Sequence, residues 1–99
     1  MGPVDFRFSS GYQNRVLLEA KLAKNTKFWN GLTKQLPKYM KIDSCKLGIF
    51  LVVAFSDKDI QRVNDIQDVA KETEKIHGVQ IKVVVADARA DNKMSASKL

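Results

Sequence analysis

The residues best suited to chemistry are Glu19 and Lys21, two positions apart at the end of the apolar stretch Val16-Leu17-Leu18. This stretch is typical of a β-strand. Because side chains alternate across a strand, Glu19 and Lys21 are expected on one face. A carboxylate and an ammonium group side by side can form a structural ion pair or a catalytic pair. The Glu-x-Lys pattern is common in proteins, so the surrounding sequence must decide between these interpretations.

A second carboxylate is expected near this pair. Val4 to Phe8 alternates apolar and polar residues, which predicts a half-buried strand, and the residues from 9 to 11 are typical of a turn. This strand and the strand from 15 to 22 are predicted to form a hairpin. Asp5 and Glu19 stand at similar distances from the loop, so the expected register brings two carboxylates close to Lys21.

A basic helix is predicted directly after the second strand, with Asn25 or Thr26 as its cap. Its apolar sector contains Phe28, Trp29, Leu32, Leu36, Tyr39 and Met40, and its opposite sector contains Lys27, Lys34, Lys38 and Lys41. Gln35 and Tyr39 lie one turn apart at the border of these sectors and can reach the same place. Pro37 predicts a bend or a break, and Gly31 weakens the helix further.

The positive charge of the chain is concentrated in this region. The net charge is +6, and between Lys21 and Lys46 seven lysines stand against Asp43 alone. The remaining residues hold ten basic and ten acidic side chains, which cancel. A patch of this kind favours a polyanionic partner, most often nucleic acid. Lysines that serve only solubility are the alternative interpretation.

The second half of the chain predicts a strand, a helix and a strand. Lys46 to Phe55 is apolar enough for a central strand buried on both faces. Ser56 or Asp57 caps one helix whose apolar stripe runs from Ile60 to Ile76 and which ends at His77 and Gly78. A final strand is predicted over residues 80–86, followed by a polar tail over residues 87–99. A solvated residue at the helix end explains His77 better than a catalytic role does.

These elements predict an α/β fold in a single domain over residues 1–99, with the order strand, strand, helix, strand, helix, strand. Strands joined through helices are expected to be parallel, in a mixed sheet flanked by helices. The sequence has no apolar run long enough for a transmembrane helix and no secretory signal pattern. Its single cysteine, Cys45, fits a reduced, cytoplasmic setting. The sequence contains no cluster of Cys and His residues that would predict a zinc site.

Together, Val4-Asp5, Glu19-Ala20-Lys21 and Gln35-Leu36-Pro37-Lys38-Tyr39 resemble the PD-(D/E)xK nuclease superfamily. The Gln-x-x-x-Tyr element is similar to that of its RecB-like branch. The resemblance implies a restriction-endonuclease-like core and a metal-dependent nuclease, with DNA favoured over RNA as its substrate.

The resemblance also implies roles for individual residues. Asp5, Glu19 and the carbonyl of Ala20 would hold Mg²⁺ or Mn²⁺, and Lys21 would stabilise the developing negative charge or position the attacking water. Gln35 and Tyr39 would orient these groups or a phosphate. The residues that would contact the phosphate backbone are Lys24, Lys27, Lys34, Lys38 and Lys41.

The chain departs from the family pattern at its start, since it begins almost at Asp5 and lacks the usual N-terminal helix. Either it is a segment of a longer protein, or a partner, such as a second copy, completes the sheet. Two alternatives to the nuclease stay open. One is a non-catalytic nucleic-acid-binding or assembly module that keeps the nuclease fold. The other is a generic α/β domain in which the Glu-x-Lys pattern is accidental.

Overall fold

The computed structural model of the protein describes residues 16–90 and contains a parallel three-stranded sheet. The strands are β1 (Val16–Leu22), β2 (Leu47–Ala54) and β3 (Gln80–Asp87), in the order β1-β2-β3. In this register Glu19 lies opposite Phe50 and Lys21 opposite Val52. The predicted parallel pairing through helices is therefore confirmed. The predicted strand over residues 4–8 and its hairpin lie outside the described residues, so the mixed character of the sheet stays a prediction.

The connection from β1 to β2, here called the first connection, is a helical rod in three parts. They are α1 (Phe28–Asn30), a π-helical segment (Gly31–Gln35) and α2 (Leu36–Ile42). The predicted cap at Asn25 or Thr26 was wrong, because the N-cap of α1 is Lys27, which makes no side-chain capping bond. Asn25 lies in the turn before the rod, where its Oδ1 accepts a bond from the backbone N–H of Lys27 at 2.8 Å. The rod does not break at Pro37. Instead Leu36 N–H bonds to the Gly31 carbonyl with π spacing, and proline occupies the first turn of α2, where its missing N–H costs little.

The connection from β2 to β3, the second connection, contains two helices where the sequence predicted one. They are α3 (Asp57–Arg62) and α4 (Ile66–His77). Ser56 caps α3 as predicted, since its side chain accepts from Asp59 N–H at 3.1 Å. The stripe prediction was wrong at its end, because Ile76 is 67% exposed. Gly78 ends α4 with a positive φ of 66°, as predicted for a left-handed C-terminal residue.

The core lies between one face of the sheet and the two connections. On this face Gly48 gives room to the first connection, since a Cβ there would lie 3.2 Å from both methyl carbons of Leu36. Along β2, buried and half-buried residues alternate strictly. The predicted central position of this strand is confirmed, whereas its predicted burial on both faces was wrong for one face, whose residues are only half-buried. Only the face that carries Phe50 and Val52 is fully covered.

The sheet runs slightly further than the sequence predicted. β3 includes Asp87, which the sequence analysis placed in the tail, and Ala88 N–H bonds to the Ala54 carbonyl at 2.7 Å. Arg89 then pairs with Asp87 at 2.6 Å and with Asp57 at 2.7 Å. These hydrogen bonds raise the pKa of Arg89 above its ordinary value. The rest of the predicted tail, residues 91–99, lies outside the described residues.

No helix within residues 16–90 has the length and apolar character needed to cross a membrane.

Candidate active site around Glu19 and Lys21

Strand β1 places Glu19 and Lys21 on the face that the first connection covers. Both side chains are only 1% exposed, and Lys21 Nζ lies 3.8 Å from Glu19 Oε2. Ala20, between them, points to the opposite face. The predicted placement of the two charges on one face of a strand is therefore confirmed. Their depth was not predicted, because a solvated pair at a strand end was the simpler expectation.

Burying this ion pair costs free energy of desolvation. Removing two charges from water costs several kcal/mol per ion, roughly, before their mutual attraction is counted. Apolar side chains of similar volume would stabilise such a position about as well. Neighbouring positions on the same face are indeed apolar, as Leu17 and Phe50 show. Glu19 and Lys21 are therefore candidates for a role beyond stability.

Gly31 brings the backbone of the first connection directly onto the pair. A Cβ at this position would overlap Lys21 Cε, lie 2.9 Å from Lys21 Cδ and lie 3.2 Å from Glu19 Oε2. Only glycine leaves room for this close approach. Gly31 is also the first residue of the π-helical segment, and irregular helical turns of this kind are frequent at functional sites. The sequence analysis assigned Gly31 only a weakening of the helix, which missed its contact with the pair.

Gln35 and Tyr39 lie on the same helical rod and are both half-buried. Gln35 ends the π-helical segment about one turn after Gly31, and Tyr39 follows in α2. Within the described part of the chain, no hydrogen bond joins the Gln35 side chain to Glu19 or Lys21. The structure thus brings Glu19, Lys21 and Gly31 together, and places Gln35 and Tyr39 on the adjoining surface of the rod.

The predicted phosphate-contacting lysines are all exposed. They are Lys24, Lys27, Lys34, Lys38 and Lys41. The first connection, residues 23–46, carries six lysines and one aspartate, whereas the second, residues 56–79, carries six acidic and four basic residues. The positive excess therefore lies on the connection that covers the Glu19–Lys21 pair.

The oxygen atoms near the pair suit a hard divalent cation. The Glu19 carboxylate and the backbone carbonyl of Ala20 are ligand types that Mg²⁺ and Mn²⁺ prefer. No group of three or more His, Cys, Asp or Glu side chains within residues 16–90 forms a metal site. Asp5, the other expected carboxylate, lies outside the described residues. The oxygen ligands of Glu19 and Ala20 therefore fit such a cation in chemical type. The contribution of Asp5 as a third ligand stays a prediction.

Two grooves of the described surface lie away from the Glu19–Lys21 pair. One of about 480 Å³ is lined by Lys71, Glu74, Lys75, Val79 and Gln80. A smaller one of about 170 Å³ is lined by Phe55, Ser56, Asp57, Arg89 and Ala90. Neither includes Glu19 or Lys21, since the first connection covers that pair.

Comparison with known proteins gives one match. Residues 1–57 match the model of a domain of unknown function (DUF8371). The chain belongs to this family. The region matched to DUF8371 includes β1, the first connection and β2, and ends at the first residue of α3. No curated protein and no solved structure matches the chain.

His77 was the other residue whose contact the sequence analysis missed. Its Nε2 lies 3.1 Å from the backbone carbonyl oxygen of Thr33, inside the π-helical segment. The sequence placed it at a solvated helix end, and the structure shows it half-buried between the two connections. The position of Pro37, four residues after Thr33, was the available clue, because proline leaves that carbonyl without its usual α-helical donor.

Proposed function

We propose that this protein is a metal-dependent nuclease that hydrolyses phosphodiester bonds, with DNA as the favoured substrate. The observation that carries the proposal is the Glu19–Lys21 pair, buried on one face of β1 beneath a helix whose outer surface is basic. A carboxylate, an ammonium group and a basic surface are the parts that phosphodiester hydrolysis needs. The family's description gives no activity, so the proposal depends on these residues and on the resemblance of their motifs.

The residues of the pair would have distinct tasks. The Lys21 ammonium would stabilise the negative charge that develops on the phosphate oxygens. Glu19, the Ala20 carbonyl and Asp5 would hold Mg²⁺ or Mn²⁺. When bound, such an ion polarises the phosphate and lowers the pKa of a coordinated water. Gln35 and Tyr39, on the adjoining surface of the rod, would orient Lys21 or a substrate phosphate.

The exposed lysines would bind the substrate without regard to sequence. Lysine contacts with phosphates supply affinity that falls as salt rises, by a slope of about 0.9 per contact on a double-logarithmic plot. A restriction-endonuclease-like core is the finer fold that we propose for the three parallel strands, with the strand over residues 4–8 added beside β1. Completion of the sheet by a second copy or by the remainder of a longer protein belongs to the same proposal.

A second candidate function is a non-catalytic nucleic-acid-binding or assembly module. The observation that favours it is the exposure of only 1% for both Glu19 and Lys21. A nuclease must bring a phosphate to these groups, so its cover must open when substrate binds. A binding module needs only the exposed lysines, and the buried pair would then be structural.

Cleavage assays distinguish these functions. Supercoiled plasmid and a labelled single strand are incubated with Mg²⁺, with Mn²⁺ and with a chelator, and binding is measured at several salt concentrations. The test variants are Glu19→Gln and Lys21→Met, which keep the size of each side chain. Matched controls are Glu72→Gln and Lys82→Met, because both residues are exposed on other elements.

The nuclease predicts cutting that the chelator abolishes and that each test variant lowers by at least about 100-fold, while the controls cut normally. Salt-sensitive binding without cutting under either metal would overturn the nuclease and support the binding module. In that case Lys34→Gln and Lys38→Gln should each reduce the salt slope by about 0.9. Neither binding nor cutting would overturn both functions.

A further inference from the structure

A side-chain hydrogen bond joins α4 to the π-helical segment at Thr33. His77, the last residue of α4, has its Nε2 at 3.1 Å from the Thr33 carbonyl oxygen, 44 positions away in sequence. A carbonyl oxygen can only accept a hydrogen bond, so Nε2–H of His77 is the donor. The second connection therefore holds the backbone of the first one at this point.

The Thr33 carbonyl lacks its usual partner because of Pro37. In a regular α-helix the N–H of residue 37 would bond to the carbonyl of residue 33, and proline has no N–H. The rod accommodates Pro37 by π spacing, with Leu36 N–H bonded to the Gly31 carbonyl. His77 supplies from another element a donor in place of the N–H that residue 37 lacks.

The same segment determines where Lys21 lies. Gly31, two residues before Thr33, approaches the Lys21 side chain so closely that a Cβ would overlap its Cε. A small displacement of the π-helical segment would therefore either press on Lys21 or open a gap beside it. Thr33 also bonds through its hydroxyl to the Trp29 carbonyl at 2.8 Å, which ties the π-helical segment to α1.

We propose that His77 is a positioning residue for the Glu19–Lys21 site. Its hydrogen bond to the Thr33 carbonyl fixes the π-helical segment, and the segment in turn fixes the Lys21 ammonium relative to the Glu19 carboxylate. The effect on the geometry of Lys21 is independent of any reaction. Its effect on catalysis rests on the nuclease function proposed above.

The first readout is the NMR signal of the Lys21 side chain, ¹³Cε with its attached protons, in the chain without ligand. His77→Ala removes the donor, and His77→Gln keeps an N–H group at a similar reach. Glu74→Ala is the matched control, since Glu74 also makes one side-chain bond from the end of α4 to a backbone group, Ile81 N–H at 2.7 Å, away from the rod. We expect His77→Ala to shift the Lys21 signal, His77→Gln to restore it, and Glu74→Ala to leave it in place.

A double-mutant comparison tests the role of proline. Pro37→Ala returns an N–H to the rod and gives the Thr33 carbonyl an intrahelical donor. His77→Ala should then shift the Lys21 signal much less in the Pro37→Ala background than in the parent chain. An equal shift in both backgrounds, or no shift of the Lys21 signal in the parent chain, would overturn the proposal.

The second readout is plasmid cleavage with Mg²⁺. A positioning residue acts on the reacting groups, whereas the exposed lysines hold the substrate. His77→Ala should therefore lower kcat about fivefold, the scale of one lost neutral hydrogen bond, with KM unchanged and with rescue by His77→Gln. A loss confined to KM would overturn the catalytic part. A parent chain that does not cut, while the Lys21 signal responds as expected, would reject the nuclease and keep the positioning role.

Discussion

Each of the two connections joins neighbouring parallel strands of the sheet, but the second is built from regular α-helices and the first is not. The second consists of α-helices with ordinary signals, a serine cap at Ser56 and a glycine end at Gly78. The first contains a π-helical segment and an interior proline, and α2 is followed by Ser44, a non-glycine residue with a positive φ of 56°. The irregular connection is the one that covers Glu19 and Lys21. Departures from ideal local structure thus gather where we place the chemistry, as is common in natural proteins.

The largest expected difference is between the buried Glu19–Lys21 pair and the exposed Arg89–Asp57 pair. Glu19→Ala or Lys21→Ala alone should lower the free energy of unfolding by about 3–5 kcal/mol, because removing one member of a buried ion pair is strongly destabilising. The double variant Glu19→Leu/Lys21→Met should cost far less than either single change. Chemical denaturation of the three variants measures this.

The control for this prediction is the Arg89–Asp57 pair, whose Asp57 side chain is 85% exposed. Asp57→Asn should leave the free energy of unfolding almost unchanged, since solvent screens exposed pairs. If Glu19→Leu/Lys21→Met is as unstable as the single variants, the pair itself stabilises the fold. That result would contradict the idea that these two charges are present for function and not for stability.

The next effect concerns Gly31, whose missing side chain leaves room for Lys21. Gly31→Ala should lower the free energy of unfolding by about 1–3 kcal/mol, because its methyl group overlaps Lys21 in a packed region. It should also reduce cleavage, since Lys21 must move. A Gly31→Ala variant with unchanged stability and an unchanged Lys21 NMR signal would show that the close approach of rod and strand is not constrained.

The smallest effect concerns the two positive-φ residues that end the connections. Ser44→Gly should raise the free energy of unfolding by up to about 1 kcal/mol, because serine is strained in the left-handed region. Gly78→Ser should lower the free energy of unfolding by a similar amount, because a serine at a φ of 66° is strained. No steric clash adds to this effect, since a Cβ at this position would meet no atom within 4 Å. Thermal denaturation of both variants provides the check, and changes of the same sign would refute the explanation from backbone conformation.

The regular parts of the molecule were predictable from local pattern. The apolar runs that became β1, β2 and β3, the cap at Ser56 and the end at Gly78 each depend on a few adjacent residues. The parallel order followed from the helices between the strands. The division of the second connection into α3 and α4 was not predictable, because Ile60, Val63 and Ile66 keep helical spacing across the break.

The candidate site was predictable only in part. Strand alternation was enough to place Glu19 and Lys21 on one face. The contact of Gly31 with Lys21 and the bond from His77 to Thr33 depend on packing between distant segments, which no local pattern contains. Pro37 predicted a disturbance, but whether the rod bends, breaks or adopts π spacing depends on what satisfies the freed carbonyl. The carboxylate of Asp5 and its place beside Glu19 stay a prediction.

The uneven charge of the two connections has a consequence for encounters in solution. Both connections pack against the same face of the sheet, the basic one over β1 and the acidic one toward β3, so the described part of the molecule is an electric dipole across the strand direction. A polyanion within a Debye length, about 10 Å at 0.1 M salt, exerts a torque that turns the first connection toward it before any contact forms. Such steering raises association rates by roughly 10- to 1,000-fold at low ionic strength. A polyanion would therefore meet the protein with the Glu19–Lys21 side already facing it.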